Sequence, residues 1–254
     1  MKIGERTVNN ALFSAASGMI PLFLSFIFWP YIVEMLGDSS YGIYALVSTV
    51  IGYFSLLDLG LGNAVVKYVA EFYGTDTRHT EEIVGVALSV FLAAGLIGIV
   101  IILSIARVLA TDLLKIPAEL VEVAYHSFCA ASLGFFMTML LTLFTAITNG
   151  LNRYDVSSSV MAVMGMATTI GAVLLLRAGF GLIHLVWWNV LVPLLVVVFY
   201  FIIVHRLMPG IKFRIRFNKE PLKKIMRFGM FAMLSRLTDV ISGQVNLLVI
   251  GAIL

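Results

Sequence analysis

Charged side chains are scarce in this sequence: Asp, Glu, Lys and Arg supply 12% of 254 residues, about half the roughly 25% of an average soluble domain. With hydrophobic residues at 61% and mean hydropathy at +1.03, there is more apolar surface than a soluble core of this size can use, so a water-soluble globular protein is excluded. Cysteine is limited to Cys129, in an apolar run. That excludes a disulfide scaffold and a thiolate metal cluster and leaves a small buried side chain. Histidine numbers only four. His126, His184 and His205 fall near the ends of apolar runs without ligand spacing, so neither a metal centre nor a proton relay is expected. Adjacent acids occur only at Glu81 and Glu82, in a connecting loop, and the acidic or histidine constellation of acid–base or metal catalysis is missing. A nucleotide loop fails as well. Gly60-Leu61-Gly62 begins a G-x-G-x-x-G pattern, but Val65 stands where the third glycine belongs and no Lys-Ser/Thr follows.

What the sequence does hold is long apolar runs. Seven are long enough for about 30 Å of hydrocarbon, which needs roughly 20 helical residues: Ala11–Val33, Tyr41–Val66, Ile83–Ala106, Val123–Asn152, Val156–Leu176, Ala178–His205 and Phe228–Leu254. The first continues through Pro21 and Pro30 and is too long for a signal-peptide core, so it reads as an uncleaved span. Of the 17 Lys and Arg residues, Lys2, Arg6, Lys67, Arg78, Arg153 and all those of 206–227 fall on the side of the N-terminus. Arg107, Lys115 and Arg177 fall opposite, and Arg236 lies inside a run. The positive-inside rule therefore places the N-terminus in the cytoplasm, and the expected location is the cytoplasmic membrane.

Six spans return the chain to the cytoplasm at the basic segment "RLMPGIKFRIRFNKEPLKKIMRF", residues 206–228. The expected organisation is a six-helix lobe (1–206), a basic cytoplasmic linker (207–227) that anchors topology and meets anionic headgroups, and the first helix of a second lobe (228–254). The chain stops in the apolar run "NLLVIGAIL", so a truncated chain is expected. An offset of 218 aligns Phe13 with Phe231, Ser17 with Ser235, Ile32 with Ile250 and Leu36 with Leu254, a weak sign of the parallel repeat used by some transporters. In the outer segment "RVLATDLLKIPAELVEV", Pro117 takes a first helical position with Glu119 and Glu122 near the positive end of the dipole. Leu109, Leu113, Leu114 and Ile116 are expected to lie against the membrane interface, in a segment that is either a structured connector, the favoured reading, or the lining of a gate.

Polar residues inside the runs are the candidate site. Asp58 stands nine residues before Lys67; along one helix at about 1.5 Å per residue that is roughly 13 Å deep, near the midplane. A carboxylate there must be protonated, paired or facing water. It serves either as a cavity group for a cation or coupling proton, or as a structural ion pair. Arg236 and Asp239 are three apart and share a helix face, with Gln244 and Asn246 following; self-neutralisation that lets the helix insert is the alternative reading. Asn9, Asn10 and Asn63 either line the inner mouth or hydrogen-bond between helices. Gly42, Gly60 and Gly62 are expected to permit close backbone approach. Trp29, Trp187 and Trp188 read as packing or interfacial anchors.

The stretch "LGDSSYGIYALVSTVIGYFSLLDLGLGNAVVKYVAEF", residues 36–72, with "LLKIPAE" at 113–119 and "NGLNRYD" at 149–155, resembles the polysaccharide-export flippases of the O-antigen and exopolysaccharide type. The resemblance covers the whole chain, at about half the family's usual length. It implies an all-α polytopic membrane bundle, the N-terminal six-helix lobe of a MATE-like fold plus the first helix of a second lobe, with the first, second, seventh and eighth helices facing a central cavity. It also implies a cargo of polyprenyl-pyrophosphate-linked oligosaccharide moved to the outer leaflet for cell-surface polysaccharide synthesis. On that reading Asp58, Asn63, Lys67, Arg236, Asp239, Gln244 and Asn246 are the cavity candidates, and Arg236 suits pyrophosphate because its planar fork stays charged when buried. No cofactor is expected beyond a coupling H+ or Na+. The partners are the lipid-linked cargo, membrane lipids and polymerase or assembly proteins, without nucleic acid. A MATE-like cation-coupled exporter of drugs is the near alternative. A membrane-embedded glycan-lipid enzyme is the distant one.

Overall fold

A computed structural model describes the backbone of residues 3–55, 60–113 and 116–232, and the side chains of 17–54, 60–111 and 116–232. Every regular element among them is helical: α1 (Ile3–Ser55), α2 (Leu61–Phe72), α3 (Thr77–Val108), α4 (Val121–Gly150), α5 (Tyr154–Arg177) and α6 (Leu182–Leu207). A last helix, α7, occupies 219–232 of the described residues. Among the described residues five stretches are long and apolar enough to cross a membrane: Ser17–Phe54, Thr77–Thr111, Ala118–Gly150, Tyr154–Arg177 and Leu182–Leu207.

The first of these is two helical arms. Gly37 interrupts α1 with φ 72 and ψ 160, a backbone state that side-chain-bearing residues rarely adopt. Trp29 and Tyr41 meet edge to face with ring centroids 5.6 Å apart. Twelve positions along a straight helix would separate them by about 18 Å, so the chain turns back at Gly37. The second expected span, Tyr41–Val66, is therefore not one helix. Its first part is the second arm of α1, and α2 begins at Leu61 after Gly60, whose φ of 67 is left-handed. The depth counted for Asp58 along an unbroken helix holds only as far as Leu61. Asp58 itself lies outside the described residues.

The chain packs around α4, which touches α1, α2, α3, α5 and α6. Phe135, Met139, Leu143 and Ile147 of α4 are buried against Ala64 and Val65 of α2, Val84 and Phe91 of α3, and Tyr200 and Val204 of α6. A second buried cluster joins Ile43 and Val47 to Ala106, Phe128 and Val186. It also takes in Leu109 and Ile116, at 7% and 9% exposure; these two seal the bundle end rather than lying on a membrane interface. The α1–α5 seam uses small residues, as membrane helices do in the absence of a hydrophobic drive between them: a Cβ on Gly165 would lie 2.7 Å from Pro21 Cβ, and the hydroxyls of Ser25 and Thr169 meet at 3.2 Å.

The basic segment after α6 is part of the lobe. Met208, Ile211 and Ile225 are buried in the main core, and residues 211–218, which have no regular secondary structure, pass along α3. Glu81 accepts from the Arg216 guanidinium at 2.9 Å and from the Lys212 amide at 3.2 Å. The Arg216 amide donates to Ser89 Oγ at 3.0 Å. Gly85 makes room for this strap, since a Cβ there would lie 2.5 Å from the Arg214 carbonyl oxygen. Plain topological anchoring does not account for such contacts.

Candidate functional site

The broken second crossing carries polar groups at both of its ends. Towards the Gly37 turn, Tyr44 and Ser48 of α1 face Thr138 of α4 and Asn189 of α6 across a cavity of about 360 Å³, whose remaining walls include Val47, Ile51, Ala131 and Val190. The Asn189 amide donates to Tyr44 Oη at 3.2 Å and to the Leu185 carbonyl at 3.1 Å. Thr138 donates to the Gly134 carbonyl at 3.0 Å and keeps its oxygen lone pairs for another donor. The site is neutral and offers hydrogen bonds on an otherwise apolar wall.

At the other end, Leu61, Ala64, Val65 and Val69 turn one face of α2 into the core, while Asn63 and Lys67, four apart, are exposed on the opposite face. The Lys67 ammonium sits 4.9 Å from the Tyr68 ring centroid and 4.7 Å from that of Phe228. Two ring faces thus hold the cation by its charge. Lys224 lies 5.9 Å from the Phe72 ring, and Tyr73 donates to the Leu207 carbonyl at 3.0 Å. α2 is thus stitched to α7 and to the end of α6 around a lysine that no carboxylate neutralises among the described ion pairs.

A second cavity, of about 400 Å³, opens between α1, α4 and α5 and is lined by the hydroxyls of Ser17, Thr145, Ser157 and Ser158. Thr145 Oγ1 is buried without a hydrogen-bond partner among the described residues, and a hydroxyl in that state favours a polar occupant. Around it, Ser157 donates to Asn149 Oδ1 at 2.7 Å, and Thr148 meets the Tyr200 hydroxyl at 2.9 Å. Among the described residues neither cavity is lined by a carboxylate, and no group of three metal-ligating side chains occurs.

The structure places the expected residues unevenly. Asn63 and Lys67 share the open face of α2, and a Cβ on Gly62 would come within 3.3 Å of Thr142 Cγ2. Gly60 contributes a left-handed conformation, with φ 67. A Cβ on Gly42 would meet nothing within 4 Å, so the approach expected there is absent among the described residues. Trp188 packs against Gly171 and donates to the Ala167 carbonyl at 3.2 Å, a packing role. Asp58, Arg236, Asp239, Gln244 and Asn246 lie outside the described residues, as do the side chains of Asn9 and Asn10. The hydroxyls of Tyr44, Ser48, Thr138, Thr145 and Ser157 and the Asn189 amide were not singled out by sequence, because each stands alone in an apolar run and only packing assembles them. Of these, Asn189 had a signal: an amide in mid-run that membrane interiors tolerate only with a partner.

The family described as "Polysaccharide biosynthesis protein" matches residues 7–254. A curated relative, the "Uncharacterized membrane protein EpsK" of Bacillus subtilis (strain 168), is 28% identical over 240 residues, covering 91% of this chain and 46% of that protein. A solved MOP superfamily transporter from Pyrococcus furiosus superposes with a TM-score of 0.75 at 18% identity, covering 91% of this chain and 53% of the other. A MATE protein crystallised with the ligand MaD3S gives 0.74 at 18% identity, with 91% and 54% covered. This chain thus has the MATE-like fold over about half the length of the proteins it matches.

Proposed function

This chain belongs to the polysaccharide biosynthesis protein family, and on that footing we propose that it supplies one lobe of a transporter that flips polyprenyl-pyrophosphate-linked oligosaccharide across the cytoplasmic membrane. The family match over residues 7–254 carries the reading. Two features of the lobe support it. Among the described residues the cavities offer neutral hydroxyls and an amide, which suit sugar hydroxyls, whereas a cationic drug calls for carboxylates in its pocket. Lys67 lies on the open face of α2 beside the Tyr68 and Phe228 rings, available to a phosphate oxygen.

In this reading 1–206 form the six-helix lobe, 207–227 the strap, and 228–254 begin the second lobe, with the N-terminus in the cytoplasm. Asp58 carries a coupling H+ or Na+ or pairs with a cation at depth. Arg236, steadied by Asp239, supplies the buried charge a crossing pyrophosphate requires, and Gln244 and Asn246 extend that wall. The MATE-like fold favours drug export as the second reading.

Proteoliposomes of the complete protein separate the classes. Flipping of a labelled pyrophosphate-linked lipid is expected, with Lys67→Gln and Arg236→Ala each slowing it roughly tenfold at matched insertion, the loss of one charge-assisted hydrogen bond. Cation-coupled dye efflux without flipping would establish the exporter instead, and a covalently altered lipid would establish an enzyme. Wild-type flipping by both variants removes those two cations from the mechanism.

A further inference from the structure

A third cavity opens between α5 and α6, with no α2 residue in its described lining. At the end that carries Arg153, α5 and α6 leave a groove of about 650 Å³ between them. Its floor and walls are Val156, Val160 and Val163 from α5 and Leu195, Phe199 and Ile203 from α6. These positions recur at three- and four-residue steps, so they form one stripe on each helix. From Ile203 to Leu195 the groove runs eight residues, about 12 Å of helix, close to the roughly 15 Å of hydrocarbon in one leaflet. Its sides are open: Val163, Leu195 and Phe199 are 58%, 58% and 60% exposed. In a membrane-spanning pair of helices the medium facing such a groove is lipid.

The mouth of the groove is charged. Asp155 lines it, and Arg153 holds that carboxylate through Nε at 3.0 Å and Nη2 at 3.0 Å. Both side chains stay accessible, at 46% for Arg153 and 39% for Asp155. A cation and an anion therefore stand side by side at the headgroup level, directly above an acyl-sized slot. An anionic lipid would set its phosphate against Asp155 without an ammonium to answer the carboxylate. A choline headgroup has no hydrogen to donate to it. A primary ammonium next to a phosphodiester satisfies both partners, the ammonium donating to Asp155 and the phosphate accepting from Arg153.

We propose that the α5–α6 groove is a binding site for a phospholipid with a primary-ammonium zwitterionic headgroup, one acyl chain lying along Val160 and Phe199 and the headgroup exchanging with the Arg153–Asp155 pair. The site is separate from both cavities described above, so it stands or falls independently of the cargo. The test is native mass spectrometry of the complete protein, purified in detergent and offered dioleoyl phosphatidylethanolamine, phosphatidylcholine and phosphatidylglycerol in equal amounts. Wild type retains phosphatidylethanolamine over the other two by roughly tenfold, the value of one charge-assisted hydrogen bond. Asp155→Asn lowers that preference to near parity while keeping chain binding. Val163→Trp, at an already exposed position, blocks the slot and loses retention of all three. Equal retention by wild type, preference for phosphatidylglycerol, or an unchanged preference in Asp155→Asn overturns the proposal, as does full retention by Val163→Trp.

Discussion

α4 and the second crossing are built from similarly apolar sequence, yet the lobe treats their polar residues in opposite ways. On α4, Ser127, Ser132, Thr138, Thr142 and Thr148 each donate to a carbonyl three or four residues back, at 2.7 to 3.1 Å. These five hydroxyls are answered within the helix, with Thr145 the exception, so α4 can sit at the centre of the bundle and be packed on several sides. The second crossing is interrupted at Gly60, and α2 beyond it turns Asn63 and Lys67 outward. One helix absorbs its polarity to serve as scaffold, and the other displays it. A hydropathy profile sees no difference between them. The difference lies in residue chemistry: a hydroxyl can fold back onto its own helix, whereas an amide or ammonium needs an outside partner.

If that contrast is real, equivalent truncations should part company. Phe135 of α4 is 2% exposed, fits against Gly98 and meets Phe54 at 5.9 Å between ring centroids. Phe135→Ala is expected to cost about 2–4 kcal/mol. Phe→Ala in a core costs about 3–5, and lipid surroundings remove part of the solvent-transfer contribution while the cavity remains. On the displayed face, Asn63→Ala should stay within about 0.5 kcal/mol of wild type, and Lys67→Ala should cost about 1 kcal/mol, the value of an exposed cation–π contact. Reversible unfolding of the three variants in mixed micelles measures the gap, and a loss for Lys67→Ala equal to that for Phe135→Ala would erase it.

A subtler cut separates satisfied from displayed polarity. Thr148 donates to the Phe144 or Thr145 carbonyl, at 3.1 and 3.0 Å, which leaves the buried Tyr200 hydroxyl, 2.9 Å away, to donate to Thr148 Oγ1. Thr148→Val keeps the shape and orphans Tyr200, an expected cost of about 1–3 kcal/mol. The double variant with Tyr200→Phe should recover most of it, because removing both partners of a buried bond is nearly neutral. No recovery in the double variant would mean that the pair is not an isolated interaction.

How far the fold could be read from sequence follows the same division. Apolar runs long enough to span are a local property, so the helices from Thr77 to Leu207 match the expected spans to within several residues. The turn at Gly37 and the break at Gly60 fall inside runs that hydropathy joins, and each depends on one glycine adopting a positive φ. The strap was legible as a basic segment but not as a docked one. Arg216 finds Glu81 across 135 positions, and a single sequence carries no record of such pairings. The site divides likewise. Charged groups in apolar runs announce themselves, as Lys67 did, while hydroxyls drawn from three helices become a cavity only when the helices pack.

The smallest effect concerns how two neighbouring helices begin. α2 starts at Gly60 without a side-chain cap, whereas α3, just past the loop, starts at Asp76, whose carboxylate accepts from the His79 amide at 2.9 Å. That bond holds the Asp76 carboxyl below its ordinary value of 3.8, with the nearby His79 ring adding to the effect. A carboxyl with a lowered folded pKa stabilises only as the anion. Its contribution is complete above about pH 4, the unfolded value, and fades as pH falls through the lower folded value. Asp76→Ala should therefore lower the melting temperature slightly at pH 6, and the difference from wild type should narrow once the pH drops below about 4. Asp76→Asn keeps an amide oxygen as cap without a titrating group, so it should lie between the two at pH 6 and lose its gap to wild type in acid. Melting curves of the three proteins between pH 6 and pH 3 make the comparison. A gap between Asp76→Ala and wild type that persists unchanged into acid would assign the difference to helix propensity, and the carboxylate cap would then contribute nothing of its own.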